Sequence, residues 1–442
     1  MSVRVRFAPS PTGQVHIGNI RAAIFNWLFA RHHKGEFLLR IEDTDLERST
    51  PEAMQGVLDA LEWLGLNYDA PPVSQTAQYA QHQEAVDLLI KNGHAYKGAK
   101  GDEGGEVVFF KMPGTDVTFD DIVKGTMTKK AEDLKDFVIV RSNGSPVFHL
   151  ANVVDDITMK ITHVIRGDDH VENTFRHIAL FRALGAPVPA YAHLPMIVNA
   201  QGKPYSKRDG AAFVGDFRTR GFLPEALFNF LALLGWSPGG DKEVMSRAEM
   251  VELFDFKQVK SSPAQMDMRK FEWMNGEYIR LLPPDEFQRR FRAALEAAGV
   301  LPAGTDERYF SAVAALMRSR TRSFPEIPPA VAFFFTDDFS WDDKVVRKRL
   351  HKPGAPDLVA ALRDRYAALP SFEAAALEKE LHALATERGV EIGEIIHPVR
   401  VSVSGIGIGP GLFEMLEVLG RDRVLARLTK ALALHGGSAA TA

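Results

Sequence analysis

The sequence predicts an α/β protein: a parallel sheet in its first part, a β-containing insert, and an all-helical C-terminal part. Three observations predict this. Strand-like and helix-like segments alternate from residue 3 to residue 93. β-rich segments interrupt the alternation over 97–164, after which it resumes. From about 220 onward the spacing of apolar residues is helical. The 442 residues leave room for roughly three domains at about 150 residues each.

"VRVRFA" (3–8) alternates apolar and basic residues and reads as a strand. "NIRAAIFNWLFARHH" then sets Ile20, Ala23, Ile24, Trp27, Leu28 and Arg31 on one helix face. "EFLLRIEDTD" (36–45) is a second strand, ending in acids. "PEAMQGVLDALEWLGL" (51–66) is a helix with Thr50 as N-cap and Pro51 at its first position. "AQYAQHQEAVDLLIKNG" is a third helix, closed by Gly93. "KGAKGDEGGE" (97–106) reads as a loop; "VVFFKMPG", "VTFDDIVKGTMT" and "DFVIVRSNGSPVFHLANVVDD" read as β-rich, with "NG" as a hairpin turn. "ITHVIRGDDH" restarts the strand–helix rhythm, "VENTFRHIALFRALG" is a helix ending at Gly185, and "AYAHLPMIVN" is a strand leading into the loop "AQGKPYSKRDGA". "GFLPEALFNFLALLGW" and "PDEFQRRFRAALEAAG" are helices, "TRSFPEIPPA" (321–330) is a proline-rich hinge, and "HGGSAATA" is a disordered tail.

Composition excludes whole classes of chemistry. With no cysteine there is no disulfide, Cys-ligated zinc, iron–sulfur cluster or Cys nucleophile. No apolar run reaches the ~18 residues of a membrane span, and "MSVRVRFAPS" lacks a signal-peptide pattern, so a cytoplasmic protein without membrane partners is expected. The net charge of −4 does not advertise nucleic-acid binding, but only local patches bear on that question.

Two loops carry the chemistry. "RFAPSPTGQVHIGN" (6–19) joins a strand to a helix, which places it at the C-terminal edge of a parallel sheet, where open α/β folds bind ligands. Gly18 lets a phosphate approach the helix N-terminus, and His16 is a donor for a phosphate oxygen as charge develops. A proline-stiffened turn with an incidental histidine explains the same residues. "GKPYSKRDG" (202–210) brackets three basic residues with glycines; Lys203 and Lys207 could reach nucleotide phosphates, or the segment is a solvated basic loop. Both loops follow strands of one sheet and can converge on one ligand.

"HIGN" after "RFAPSPTG", with "YSKR" after "HLPMIVN", resembles the HIGH and KMSKS signatures of class I aminoacyl-tRNA synthetases. "RIEDTD", "ANVVDD" and "VIRGDDH" resemble the glutamyl-tRNA synthetase pattern, which continues through "SPAQMDMRKFEWMNGEYI" (262–279) and "HPVRVSVSGIGIGPGLFEMLEVLG" (397–420). The resemblance implies a Rossmann-like catalytic domain (1–96 and 165–245), an inserted α+β acceptor-stem-binding module (97–164), a connecting helical domain (246–322) and a helical anticodon-binding domain (323–442). It implies an aminoacyl-tRNA synthetase of protein biosynthesis, a ligase that forms glutamyl-adenylate from glutamate and ATP with Mg²⁺ and passes the glutamyl group to tRNA-Glu. It leaves open whether tRNA-Gln is charged too. A monomer is expected.

The resemblance also assigns residues. His16, Gly18 and Lys207 would be catalytic, with Lys203, Ser206 and Arg208 beside them on ATP. Asp169 and His170 would meet the ATP ribose and base, and the backbone of Met196 and Ile197 would read adenine, although core packing equally explains two apolar side chains there. Arg6, Ala8, Ser10, Glu42, Phe148, Asn152 and Arg166 would bind glutamate. The residue types agree: arginine forks pair with carboxylates, and Glu42 suits an α-amino group. Read singly, Arg6 is a surface strand arginine and Arg166 an ion pair with Asp168 or Asp169.

Three departures from the pattern stand out. Pro204 replaces the first lysine of the second signature, leaving Lys203 nearby on a stiffer loop. Phe148 stands where a tyrosine is common. "KGAKGDEGGEVV" replaces the Cys-rich zinc segment of many relatives, so no structural zinc is expected. For tRNA, "KVVRKRLHK" (344–352) holds Lys344, Arg347, Lys348, Arg349 and Lys352 with His351, and "MRSRTRS" (317–323) holds three arginines; phosphate contact and a solvated helix face both explain them. A non-catalytic paralogue that binds tRNA or nucleotide as a regulator is the alternative, supported by Pro204 and Phe148 alone.

Overall fold

The computed structural model describes residues 2–44, 49–99 and 105–436, which divide into a unit of residues 1–274 and a unit of residues 275–442. No helix among the described residues is long and apolar enough to cross a membrane.

The first unit begins with β1 (Arg4–Phe7), α1 (Ile17–His32), β2 (Glu36–Ile41), α2 (Pro51–Trp63), β3 (Val73–Ser74) and α3 (Tyr79–Lys91). β1, β2 and β3 form a parallel sheet, Val5 opposite Phe37 and Arg40 opposite Val73. Thr50 caps α2 by accepting from the Ala53 N–H, and Pro51 opens the helix without losing a hydrogen bond. α1 corrects the expectation of one apolar face. Nearly every residue from Ile20 to Ala30 is buried, so it runs through the core as a helix covered on all sides.

The insert consists of β4 (Ala95–Ala99), β5 (Glu106–Phe110), β6 (Val117–Asp121), β7 (Gly125–Lys129), β8 (Phe137–Val140) and α4 (Phe148–Thr158). β4, β5 and β8 form an antiparallel sheet, so the expected loop over 97–106 is shorter at both ends; residues 100–104 lie outside the described residues. The "NG" turn forms, with Gly144 at φ +81°, but the expected second hairpin arm is α4. Asn152, Asp155 and Asp156 recur at helical spacing on one side of that segment, and their burial among arginines outweighs the β preference of Val153 and Val154.

β9 (His163–Gly167), α5 (Val171–Ala183) and β10 (Ala190–Leu194) restore the α/β order. β9 pairs with β10 in parallel, and β10 pairs with β6 at Tyr191 and Asp121. The hairpin β6–β7 of the insert therefore extends the β9–β10 sheet and shares its core, which runs from Leu38 through Phe137 to Tyr191. Thr162, just before β9, donates its N–H to the Arg4 carbonyl at 2.9 Å, so β9 lies beside β1. In open α/β sheets ligands bind outside the C-terminal ends of the strands, which here are the ends of β1 and β9. The single strand expected over 190–199 is split: Pro195 and Met196 separate β10 from β11 (Ile197–Val198). α6 (Val214–Thr219), α7 (Pro224–Leu233), α8 (Arg247–Leu253) and β12 (Ala264–Gln265), which pairs with β11, complete the elements used below.

The second unit is helical, as expected. The proline-rich hinge is corrected: residues 324–326 form one 3₁₀ turn that runs into the helix Ile327–Phe335, with Pro328 and Pro329 in its first turn, where a missing N–H costs nothing. Arg427 is buried there, its guanidinium held by Asp337 and by the carbonyls of Val403 and Phe333. Of the expected tail, residues 437–442 lie outside the described residues.

Candidate active site

The two signature loops, some 190 residues apart in sequence, meet. His16 and Phe213 form an isolated antiparallel bridge, with Ile17 donating to the Ala212 carbonyl (3.0 Å) and Val214 to that of Val15 (3.0 Å). His16 is the N-cap of α1: its Nδ1 accepts from the Gly18 N–H at 3.1 Å. A neutral imidazole then carries its hydrogen on Nε2, the donor nitrogen of the ring, with the Tyr205 backbone as a neighbouring acceptor. Burial pushes the His16 pKa down and the Tyr205 backbone pulls it back up, so the ring is neutral near pH 7. The Phe213 ring joins the loops: the His16 ring meets it edge-on at 5.8 Å, and Lys207 Nζ lies 4.4 Å from its centroid. A histidine donor, a lysine cation and the N-terminus of a 16-residue helix thus face one place.

The basic loop is a small, well-tied turn. Asn199 donates to the Lys203 carbonyl (2.8 Å), and Tyr205 to that of Ile197 (2.9 Å). These bonds flank the Val198–Pro204 bridge, so proline sits where no N–H is needed. Ser206 and Asp209 form a capping box, Asp209 taking the Ser206 N–H at 2.9 Å. Lys203, Lys207 and Arg208 are exposed. Met196 is 45% exposed, which corrects the reading of it as core, while Ile197 is buried; their carbonyls already accept from Ala264 and Tyr205.

Beside this rim lies a buried charge network. Arg6, only 3% exposed, grips Asp156 through Nε (3.0 Å) and Nη2 (3.3 Å). Arg40 joins Asp156 to Glu42 (3.1 Å), and Asn152 donates to Glu42 Oε1 at 2.7 Å. Asp155, one residue before Asp156, takes Gln75 and His82, each at 2.7 Å. Burial raises the Asp156 pKa, but Arg40 and Arg6 pull it down further, so the carboxylate stays ionised. Arg6 is therefore no surface residue. Ala8 and Ser10 lie on the loop above it, which is pinned by the Glu42 N–H on the Pro9 carbonyl (3.0 Å).

Arg166 departs from the ion pair read for it. Its Nη2 donates to Thr174 Oγ1 (2.7 Å) and the His170 carbonyl (3.3 Å), and its Nε to His193 Nε2 (3.3 Å). No carboxylate among the described residues pairs with it; Asp168 is held by Lys124 at 2.8 Å instead. Burial lowers the Arg166 pKa to about 10, and Arg6 adds repulsion. Both guanidiniums spend their Nε–Nη2 edge on the protein, and neither Nη1 has a partner among the described residues. A buried cation with no directly paired carboxylate among the described residues, and a second arginine nearby, has the chemistry to receive an anion.

Phe148 packs at ring distances of 5.5–5.8 Å against His149, His170 and His177. Burial, with Arg176 and Arg166 nearby, lowers the His149 pKa to about 4. Asp169 is exposed and His170 partly so, at the end of β9. The sequence reading did not assign Asp156, Arg40, Thr174, His193 or Asp121. Two signals were available: an arginine within the apolar run of β2, and two aspartates at helical spacing from Asn152. In the second unit Lys344, Arg347, Lys348 and Lys352 are exposed, whereas Arg349 and His351 are half-buried. Arg318 spends itself on the carbonyls of Arg280 and Leu282.

Comparisons with known proteins agree with the fold. Residues 2–104 and 99–273 match the family model "tRNA synthetases class I (E and Q), catalytic domain", and 277–432 match "Anticodon binding domain". The chain is 40% identical to a glutamate–tRNA ligase of Moorella thermoacetica over 97% of this chain and 98% of that protein. It is 41% identical to one of Methylacidiphilum infernorum, again over 97% and 98%. A crystal structure of a glutamate tRNA ligase from Elizabethkingia meningosepticum in complex with its amino acid superposes with a TM-score of 0.86 at 30% identity, covering 98% of this chain and all of that one.

Proposed function

The chain belongs to the glutamate–tRNA ligases among the class I tRNA synthetases, and from that membership we propose how its own residues perform the reaction. The ligase activity consumes ATP to attach glutamate to tRNA. The glutamate α-carboxylate attacks the α-phosphorus of ATP and pyrophosphate leaves. A terminal ribose hydroxyl of tRNA-Glu then takes the glutamyl group and AMP departs. Nothing in this sequence of steps needs a protein nucleophile, only placement and charge compensation.

In this reading the free Nη1 edges of Arg6 and Arg166 take the glutamate side-chain carboxylate, and Glu42 with Asn152 receives the α-amino group. The Asn152 Oδ1 is buried without a partner, as an ammonium receptor would be. His16 Nε2–H, the Gly18 end of α1 and Lys207 bind the triphosphate and neutralise the leaving pyrophosphate, with Lys203, Ser206 and Arg208 on the same loop. Asp169, His170 and the backbone at Met196 and Ile197 surround the nucleoside. The described residues gather no cluster of three carboxylates or histidines to hold a metal, so Mg²⁺ would arrive on the triphosphate and no step is routed through it. The basic helix around 344–352 would meet tRNA phosphates.

The observation that carries this reading is the buried, carboxylate-free Arg166 beside Arg6. ATP–pyrophosphate exchange with glutamate and tRNA tests it. Arg166→Ala should raise the glutamate KM on the order of 100-fold or more and move the ATP KM little, since a lost charge-assisted pair is worth about 3 kcal/mol. Equal losses for both substrates would reject the assignment. Charging assays on purified tRNA-Glu and tRNA-Gln decide whether one or both are accepted.

A further inference from the structure

We infer that His193 and Asp121 are positioning residues for glutamate recognition: Asp121 fixes the His193 tautomer, and His193 holds Arg166 in the orientation that presents Nη1 to the substrate. The inference rests on the reading of Arg166 given above.

The hydrogen bonds leave one consistent assignment. Asp121 Oδ2 lies 2.6 Å from His193 Nδ1, and a carboxylate only accepts, so Nδ1 carries the hydrogen. His193 Nε2 is then an acceptor. It faces Arg166 Nε–H at 3.3 Å and Thr174 Oγ1 at 3.0 Å, both able to donate. The opposite tautomer would point an N–H at an arginine N–H. His193 is fully buried and stacks on Tyr191 at 5.9 Å, and Tyr191 in turn lies under the Arg166 guanidinium at 5.7 Å, so the ring has no room to turn away. Thr174 completes the seat by accepting from Arg166 Nη2.

Asp121 comes from β6, in the hairpin of the insert, and Lys124 at the tip of that hairpin holds Asp168 at the end of β9. The insert therefore supplies the outer support for an arginine on β9. This explains why β6 joins the β9–β10 sheet by a single residue pair, at Asp121 itself: that pairing delivers the carboxylate to the neighbour of Arg166.

Asp121→Asn is the informative change. Oδ1 of Asp121 accepts from the Val123 (2.9 Å) and Lys124 (2.8 Å) N–H groups and lies 3.3 Å from the His193 N–H; an asparagine oxygen keeps these bonds, while the 3.1 Å bond from the His193 N–H to Oδ2 is lost. Its amide nitrogen then replaces Oδ2 and forces His193 Nδ1 to accept, which moves the hydrogen to Nε2, against Arg166. In the full chain, ATP–pyrophosphate exchange should show the glutamate KM raised roughly 10- to 100-fold, with kcat and the ATP KM changed less than about 3-fold. Nitrogen-15 NMR of histidine-labelled protein should show His193 switching from the Nδ1–H to the Nε2–H form. As a second pair, His193→Gln offers an acceptor in the place of Nε2 and should retain glutamate affinity better than His193→Leu by about 5-fold or more. An unchanged glutamate KM in Asp121→Asn, or equal rises for glutamate and ATP, overturns the inference. If Asp121→Asn does not fold, equal behaviour of the two His193 variants overturns it. A glutamate-selective defect in Arg166→Ala without one in Asp121→Asn removes this inference alone; no selective defect in Arg166→Ala removes the reading beneath it.

Discussion

At the amino-acid corner, Arg6, Arg40 and Arg166 are buried, and each is tethered by at least two hydrogen bonds to the protein. On the loop 203–208, Lys203, Lys207 and Arg208 are exposed, and no carboxylate among the described residues pairs with them. In the proposed reading both corners bind anions, but by different physics. The buried corner sits in a low effective dielectric, where a charge acts strongly and an unpaired one is costly. The loop sits in water, where cations hold no fixed partner and are available to a triphosphate that carries its own charge. In that reading the first arrangement suits discrimination between small carboxylic acids, and the second suits a large anion that must enter and leave.

Changes that separate stability from catalysis sharpen this contrast. Asp156→Asn should have the largest effect. It leaves Arg6 and Arg40 short of their shared carboxylate, and breaking one side of a buried ionic network costs about 3–5 kcal/mol. Hydrogen exchange at the amides of β1, β2 and α4 should speed by roughly 100-fold or more, and glutamate affinity should fall with it. The pH dependence has a defined sign. The folded Asp156 pKa lies below its unfolded value, so its stabilisation is complete above about pH 4 and is lost as pH falls toward the folded pKa. Asp156→Asn should therefore flatten the acid limb of stability below pH 4. Unchanged exchange rates would mean the network is not what holds this corner.

Lys207→Ala is the counterpart on the loop. Its exposed ammonium lies over the face of Phe213 and forms no ion pair among the described residues, so exchange protection should stay as it is. Pyrophosphate exchange should slow by roughly 10²–10³ in kcat, the size of losing one preorganised charge-stabilising group, with glutamate KM nearly constant. A fall in stability comparable to that of Asp156→Asn would erase the distinction between the corners.

The sequence showed the two corners unequally. The loop was legible because its chemistry is local: a glycine-bracketed basic run after a strand, and a histidine two residues before Gly18. The alternation of strands and helices was equally plain over 3–93, since period and capping residues such as Thr50 are local signals. The buried corner was only half legible. Arg6 and Arg166 stood out, but their partners come from α4, a helix read as part of a hairpin because Val153 and Val154 favour strands and "NG" favours a turn. With α4 hidden, Asp156 had no place beside Arg6, and Arg166 was given the nearest acids in sequence, Asp168 and Asp169. Asp121, on a strand 45 residues before Arg166, carries no local mark at all. Tertiary pairing of β6 with β10 creates its role.

The smallest effect tests whether the loop is as free as its exposure suggests. Asp209 closes the capping box with Ser206 and also accepts from Asn199 Nδ2 at 2.7 Å, so it ties both ends of the turn that carries Lys207. A capping interaction of this kind is worth about 1 kcal/mol. Asp209→Ala should loosen the loop without removing any cation. If the turn presets Lys207, the loss appears as a 3- to 10-fold fall in kcat of pyrophosphate exchange, with Phe213 and His16 still in place and the glutamate KM unmoved. If the triphosphate itself orders the loop on arrival, the same variant should instead raise the ATP KM by that factor and leave kcat alone, because ordering would then be charged to binding. No change in either constant would show that Lys207 finds its position without the cap, and the two corners would then differ in tethering as completely as they differ in burial.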